Sequence, residues 1–365
     1  MIYMDHNATT TMHPKVGHLI MDIMSETGNG SATHCAGQRA AMHIERAREQ
    51  IAAAVNTRPA QVIFTSCATE SINTILKTFK GERILASTAE HAAILDCGHA
   101  EMENVPVTPD GIIDLDALES SLKREPHAKL LNIIMVNNET GVINPVKEAV
   151  ALAHQYGTLV HVDAVQALGK TPVDFKDLGA DYMSLSSHKF GGPQGVGCFI
   201  FASKKPVRPL LVGGKQEKKQ RAGTSNTAGI AGMGLAAEIA TSNIARYDEL
   251  SSWRGDLETQ ISNALDGITI NGENASRVGN TSSLTCRGIT NTVQMLSLDL
   301  EKICVSGGSA CSSGVAKPSH VLTAMGLNEN DALATIRISM GWNTTRDDVD
   351  NFISQYIKII TRLRT

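Results

Sequence analysis

Short apolar runs alternate with longer amphipathic stretches through the first half of the chain. The period-2 and β-branched runs predict strands at Val62 to Thr65, Arg83 to Ser87, Leu130 to Val136, Leu159 to Val162 and Met183 to Ser186, with Cys198 to Phe201 as an antiparallel neighbour of the last. Between them, 3.6-residue patterning predicts helices at Thr69 to Phe79, His91 to Met102, Leu115 to Leu122 and Val146 to Tyr156, preceded by helices at His18 to Glu26 and Ala40 to Val55. Strand–helix alternation of this kind predicts an α/β fold, a mostly parallel sheet flanked by helices on both faces.

From about Ile244 the pattern changes. Long polar helical stretches, Arg246 to Leu265 and Thr345 to Arg362, flank short strand-like runs at Ile268 to Ile270 and Thr335 to Ser339. The expected division is a large domain over residues 12–243 and a smaller α+β domain made from residues 1–11 and 244–365. No internal repeat or low-complexity segment interrupts either part.

Composition narrows the partners. A chain of 365 residues, 42% hydrophobic and 19% charged, has the makeup of an ordinary globular protein. Its net charge of -4 offers no electrostatic footing for nucleic acid or an anionic membrane. The opening M-I-Y-M-D-H-N-A-T-T lacks the basic and apolar regions of a signal peptide, and no apolar run reaches the ~20 residues of a spanning helix, so a cytoplasmic protein is expected. Seven cysteines without a C-x-x-C pair argue against a disulfide framework and against a structural metal site.

The candidate chemistry gathers where strands end. Lys189 follows an apolar strand and precedes Gly191-Gly192-Pro193, a poor place for a solvated surface lysine. A partly desolvated amine there, next to His188, would be a nucleophile for a carbonyl, which suggests a Schiff base. A pyridoxal-type cofactor also needs an acid for its ring nitrogen, and Asp163 ends the run G-T-L-V-H-V-D at the same sheet edge. Taken alone, Asp163 would serve equally as a helix N-cap. Thr69 opens a helix after a strand, which suits either a phosphate or a plain cap. His91 also follows a strand and could meet a ring face, and Asn137-Asn138-Glu139-Thr140-Gly141 is either a turn or a source of amide donors. Arg337, in the apolar T-I-R-I-S, needs a structural or a substrate carboxylate. Cys311 lies within S-G-G-S-A-C-S-S-G, a small-residue loop suited to a thiol that must travel. Two nucleotide-binding patterns fail: Gly169-Lys170-Thr171 lacks the upstream glycine of a P-loop, and no strand precedes Gly232-Met233-Gly234.

Together these motifs resemble the cysteine desulfurase family, fold type I pyridoxal-phosphate enzymes related to the class V aminotransferases. The resemblance runs from Y-M-D-H-N-A-T-T through C-A-T-E, E-H-A-A-I-L, N-N-E-T-G, H-V-D-A-V-Q, S-S-H-K-F-G-G-P and R-A-G-T to G-S-A-C-S-S-G and R-I-S. It implies pyridoxal 5'-phosphate linked to Lys189, with Asp163 on the pyridinium nitrogen, Gln166 on the ring hydroxyl and His91 stacked on the ring. Thr69, Ser186 and His188 would hold the phosphate, and Thr224 that of the partner subunit in a homodimer. Asn138 and Arg337 would hold the substrate carboxylate with Asn7 nearby, and Cys311, in the small domain, would carry sulfur from L-cysteine to an acceptor protein. The longer loop around Cys311 resembles the branch that serves iron–sulfur cluster assembly or thiolation. A selenocysteine lyase or another fold type I enzyme would share Lys189 without needing Cys311 in the same way, and a non-catalytic scaffold would keep the fold without turnover.

Overall fold

The computed structural model describes residues 1–307 and 317–365. Its centre is a seven-stranded sheet in the order Val62–Thr65, Gly197–Phe201, Tyr182–Ser186, Leu159–Asp163, Leu130–Ile134, Ile84–Ser87, Met102–Val105. Only Gly197–Phe201 runs against its neighbours, so the sheet is mostly parallel, as the alternating pattern predicts. Consecutive strand residues feed opposite layers: Leu85 and Leu131 join the core that includes Ile51, Val160 and Met233, whereas Ile84, Ala86 and Leu130 pack with Ile72, Ile75 and Phe79. Each such Ile or Leu, fully buried, contributes about 1.5–3 kcal/mol. Burial on both faces is why these strands read as continuous apolar runs.

The helix Cys35–Ala54 packs along Thr227–Ser242. Glycine makes that approach possible, because a Cβ on Gly234 would lie 2.6 Å from Ala47 Cα.

A second core joins Met4, Leu250, Leu257, Leu284, Ile303, Ile336, Phe352 and Tyr356. It is built on an antiparallel sheet, Thr335–Ser339, Thr281–Cys286, Ile268–Ile270, together with the long helices Ala245–Ala264 and Arg346–Arg364. The opening Ile2–Tyr3 is also a strand, pairing in parallel with Ile303–Cys304.

One expected element is wrong. Residues 91–102 do not form one helix: Ala92–Leu95 makes a single turn, Gly98 turns the chain at φ 73°, and Met102–Val105 becomes the edge strand. The amphipathic pattern is shared by a short helix and a one-sided edge strand, and Gly98 divides them. The early helices begin sooner than expected, at Pro14 and Cys35, each capped by a histidine ring that accepts a main-chain N–H.

Candidate active site

The strand Tyr182–Ser186 passes into one 3-10 turn, Ser187–Lys189, which lifts Lys189 off the carboxyl edge of the sheet. Its Nζ donates to the main-chain carbonyls of Asn7, at 2.5 Å, and Ala8, at 2.8 Å. Both acceptors are uncharged. Burial, reinforced by the Arg337 guanidinium, lowers the amine to about 8, against the opposing pull of Asp5 and Asp163. His188, one residue earlier, meets a different partner. Successive side chains of a 3-10 turn point about 120° apart, and His188 Nδ1 lies 3.2 Å from Thr9 Oγ1, its ring lowered to about 4 by burial and by Lys189 and Lys170.

Asp163 ends the neighbouring strand and is buried. Its Oδ1 accepts the Val165 N–H at 3.0 Å, and Oδ2 makes no hydrogen bond among the described residues. Burial raises the carboxyl, opposed by the Val165 bond and by His91 and Lys189. His91 is exposed, just past the end of Ile84–Ser87, two strands over from that of Asp163, and accepts the Ala93 N–H on Nδ1. Glu90, just before it, is fully buried: Oε1 accepts the Ile134 N–H at 2.7 Å and Oε2 has no partner.

Asn7 ties the edge together. Its carbonyl accepts from Gln166 Nε2 at 2.8 Å as well as from Lys189, and its Oδ1 accepts from Lys170 Nζ at 2.9 Å. Asn7 Nδ2 donates to the Asn138 carbonyl, which also accepts from Arg337 Nη1 at 3.0 Å. Arg337 is 4% exposed, and it meets a structural carboxylate, Asp5 Oδ1, at 2.7 Å. Yet its buried Nε stays unpaired. Asn137 serves the turn: its Oδ1 takes the N–H groups of Glu139 and Thr140.

Thr69 lies in the first turn of the helix Ala68–Thr78, whose N-cap Cys67 supplies no side-chain bond to the free N–H groups. Ser186 is buried at the end of its strand. Thr224 is exposed in the loop before the helix Thr227–Ser242 and bonds to none of the other site residues among those described. Cys311 falls outside the described residues. The chain on either side of it is fixed near the site: Ser306 pairs through its backbone with Arg337, and Ser319 Oγ donates to Glu139 Oε2 at 2.5 Å.

Sequence reasoning missed Glu90, Lys170 and Asp5. The strand-end rule that found His91 also covers Glu90, whereas Lys170 was visible only as a failed P-loop.

A lysine with uncharged acceptors, a buried carboxylate with a free oxygen on the adjacent strand end and an uncapped helix start suit an aldehyde-bearing, phosphorylated pyridine. Fold and site thus define a lysine-dependent pyridoxal-phosphate enzyme of the α/β type. Residues 2–352 match the model of the class-V aminotransferases, and the chain belongs to that pyridoxal-phosphate family. It is similar, at 36% identity over 100% of this chain and 95% of the relative, to the cysteine desulfurase IscS of Dictyoglomus turgidum. The X-ray structure of a NifS-like protein from Rickettsia africae superposes with a TM-score of 0.93 at 35% identity, covering 99% of each chain. A structure of SspA in complex with cysteine does so with a TM-score of 0.82 at 29% identity, covering 93% of this chain and 99% of that one.

Proposed function

We propose that this enzyme is a cysteine desulfurase that takes sulfur from L-cysteine, releases L-alanine and leaves a persulfide on Cys311 for an acceptor protein. The observation that carries the reading is the Asn7–Asn138 bridge, which joins an amine lowered to about 8 at Lys189 to a buried guanidinium with an unfilled donor at Arg337.

Pyridoxal phosphate, when bound, supplies the electron sink that makes an amino acid's α-proton acidic. Lys189 would hold the cofactor covalently, Asp163 Oδ2 would accept its ring N–H, Gln166 would meet the ring oxygen and His91 a ring face. Thr69, Ser186 and His188 would hold the phosphate. Arg337 and Asn138, with Asn7 behind them, would bind the substrate carboxylate. Lys189, once free and neutral, takes the α-proton on Nζ. The Cys311 thiolate then attacks the substrate sulfur: an S–S bond forms, the C–S bond breaks, and the electron pair stays on carbon, which takes up a proton to give the methyl of alanine. Atoms balance as cysteine plus thiol giving alanine plus persulfide.

Thr224, exposed and unbonded to its own site, fits a homodimer in which it reaches the partner's phosphate. The reading further places the enzyme in the cytoplasm, with a large domain over residues 12–243 and a small one over 1–11 and 244–365. No helix among the described residues is long and apolar enough to cross a membrane, and no cluster of metal-ligating side chains is found among them.

The test is alanine and sulfide release from L-cysteine with a thiol reductant, for the parent and Cys311→Ala. Equal release from the parent, abolished in the variant, is expected. Turnover that survives the substitution would favour a selenocysteine lyase or transaminase, and a cofactor-loaded parent without turnover a scaffold.

A further inference from the structure

Lys170 belongs to the discarded Gly169-Lys170-Thr171 pattern, yet it is the one lysine that is buried among the described residues, 6% exposed. It forms no salt bridge with a carboxylate among the described residues. Its Nζ meets two amide oxygens, Asn7 Oδ1 at 2.9 Å and Gln166 Oε1. A neutral amine has two N–H donors, and two acceptors are what it finds; an ammonium would bury a third donor unsatisfied. The charged and titratable groups around it are Lys189, Arg337, His6 and His188, none of them an acid. Burial and the charges of Lys189 and Arg337 push the amine well below its ordinary value.

Lys170 donates to Gln166, so the amide oxygen turns towards it. Gln166 Nε2 then points the other way, donating to the Asn7 carbonyl that Lys189 also meets. We propose that Lys170 is a positioning residue that fixes the polarity of the Gln166 side chain, leaving only N–H donors for the ring oxygen of the bound cofactor. The inference rests on the pyridoxal-phosphate reading of the site. N–H donors favour an ionised ring oxygen, whereas a flipped amide would present a lone pair and oppose ionisation. Without Lys170 only the Asn7 carbonyl would distinguish the two ends of the amide.

The experiment follows the cofactor's visible absorption band in the holoenzyme as a function of pH. Lys170→Met is expected to raise the midpoint of that titration by about one unit, as differential hydrogen bonding to one protonation state does. Gln166→Ala should raise it similarly, and Gln166→Ala with Lys170→Met no further, because coupled residues are non-additive. A Lys170→Met midpoint within about 0.2 unit of the parent, or shifts that add in the double variant, overturns the role of Lys170. Should the methionine variant not fold, Lys170→Gln, which keeps a neutral N–H donor, decides: a midpoint nearer the parent than that of Gln166→Ala supports the proposal, and one equal to it overturns it. A parent without any visible band would overturn the cofactor site and this role with it, whereas a normal parental band beside an unmoved variant midpoint removes Lys170 alone.

Discussion

Arg337 Nη2 donates to Asp5 Oδ1 at 2.7 Å while Nε of the same guanidinium is buried without a partner. The ion pair aims the guanidinium but leaves part of its fork open, which is what a second carboxylate would fill. Arg337→Ala is expected to raise KM for L-cysteine about ten- to a hundredfold, ~1.4–2.8 kcal/mol. Arg337→Lys should not restore it, since an ammonium lacks the planar fork that sets one donor on Asp5 and aims another at the substrate. Steady-state kinetics on both variants checks this.

Capture of the cofactor by the free protein should depend on the neutral fraction of Lys189. With an amine at about 8, that fraction falls about tenfold for each pH unit below this value and levels off above it. The rate at which cofactor-free protein regains its visible band should follow the same curve. Because Arg337 helps hold the amine down, Arg337→Gln should move the midpoint upwards.

Glu90 provides a stability test. Burial first, and the nearby Asp163 second, raise its carboxyl well above the ordinary range. The folded chain therefore keeps a proton that the unfolded chain loses, so this group's contribution is fully present below about 4.5 and is lost as pH rises towards the folded value. Glu90→Gln, neutral throughout, should gain on the parent as pH is raised in thermal melts. Glu90→Ala strands the Ile134 N–H and opens a cavity, at a cost of about 2–4 kcal/mol.

The loop leading to Thr224 rests on a buried ion pair. Arg48 grips Glu217 with two bonds of 2.8 Å, and Glu217 also accepts the Phe64 N–H at 2.9 Å. This anchors three consecutive left-handed residues, Glu217, Lys218 and Lys219, with φ of 43°, 56° and 68°. Glu217→Ala leaves Arg48 buried and unpaired, and should cost about 3–5 kcal/mol by denaturant unfolding. Lys218→Gly, by contrast, relieves left-handed strain and should stabilise by up to about 1 kcal/mol.

The sequence reveals the site where it obeys the strand-end rule. Asp163, Lys189, His91 and Asn138 all follow apolar runs, and the structure puts each at the carboxyl edge of the sheet. It conceals parts whose pattern comes from tertiary packing. The helix Thr227–Ser242 is apolar on nearly all sides, so it has no readable face, and its G-x-G-x-x-A glycines make room for Ile20 and Ala47 and not for a dinucleotide. Thr281–Cys286 is a fully buried central strand spelled T-S-S-L-T-C. The hydroxyls of Thr281, Ser283 and Thr285 find partners inside the fold, as Thr285 does with Thr335 at 2.7 Å, while Ser282 Oγ is buried without one, and no hydropathy pattern could announce the strand. Lys170 stayed hidden because a buried lysine is legible only once its acceptors are known.

The acceptor of the Lys189 amine is made early and secured late. Asn7 is held through its N–H by Ser339 Oγ, 332 residues further on, and the preceding strand Ile2–Tyr3 pairs with Ile303–Cys304. A growing chain on the ribosome can thus complete its central sheet, with Asp163 and Lys189 at its edge, while Asn7 still lacks this anchorage. Scaffold and chemistry mature at different moments of synthesis, and an unfinished chain that has already folded its sheet is not yet a competent enzyme.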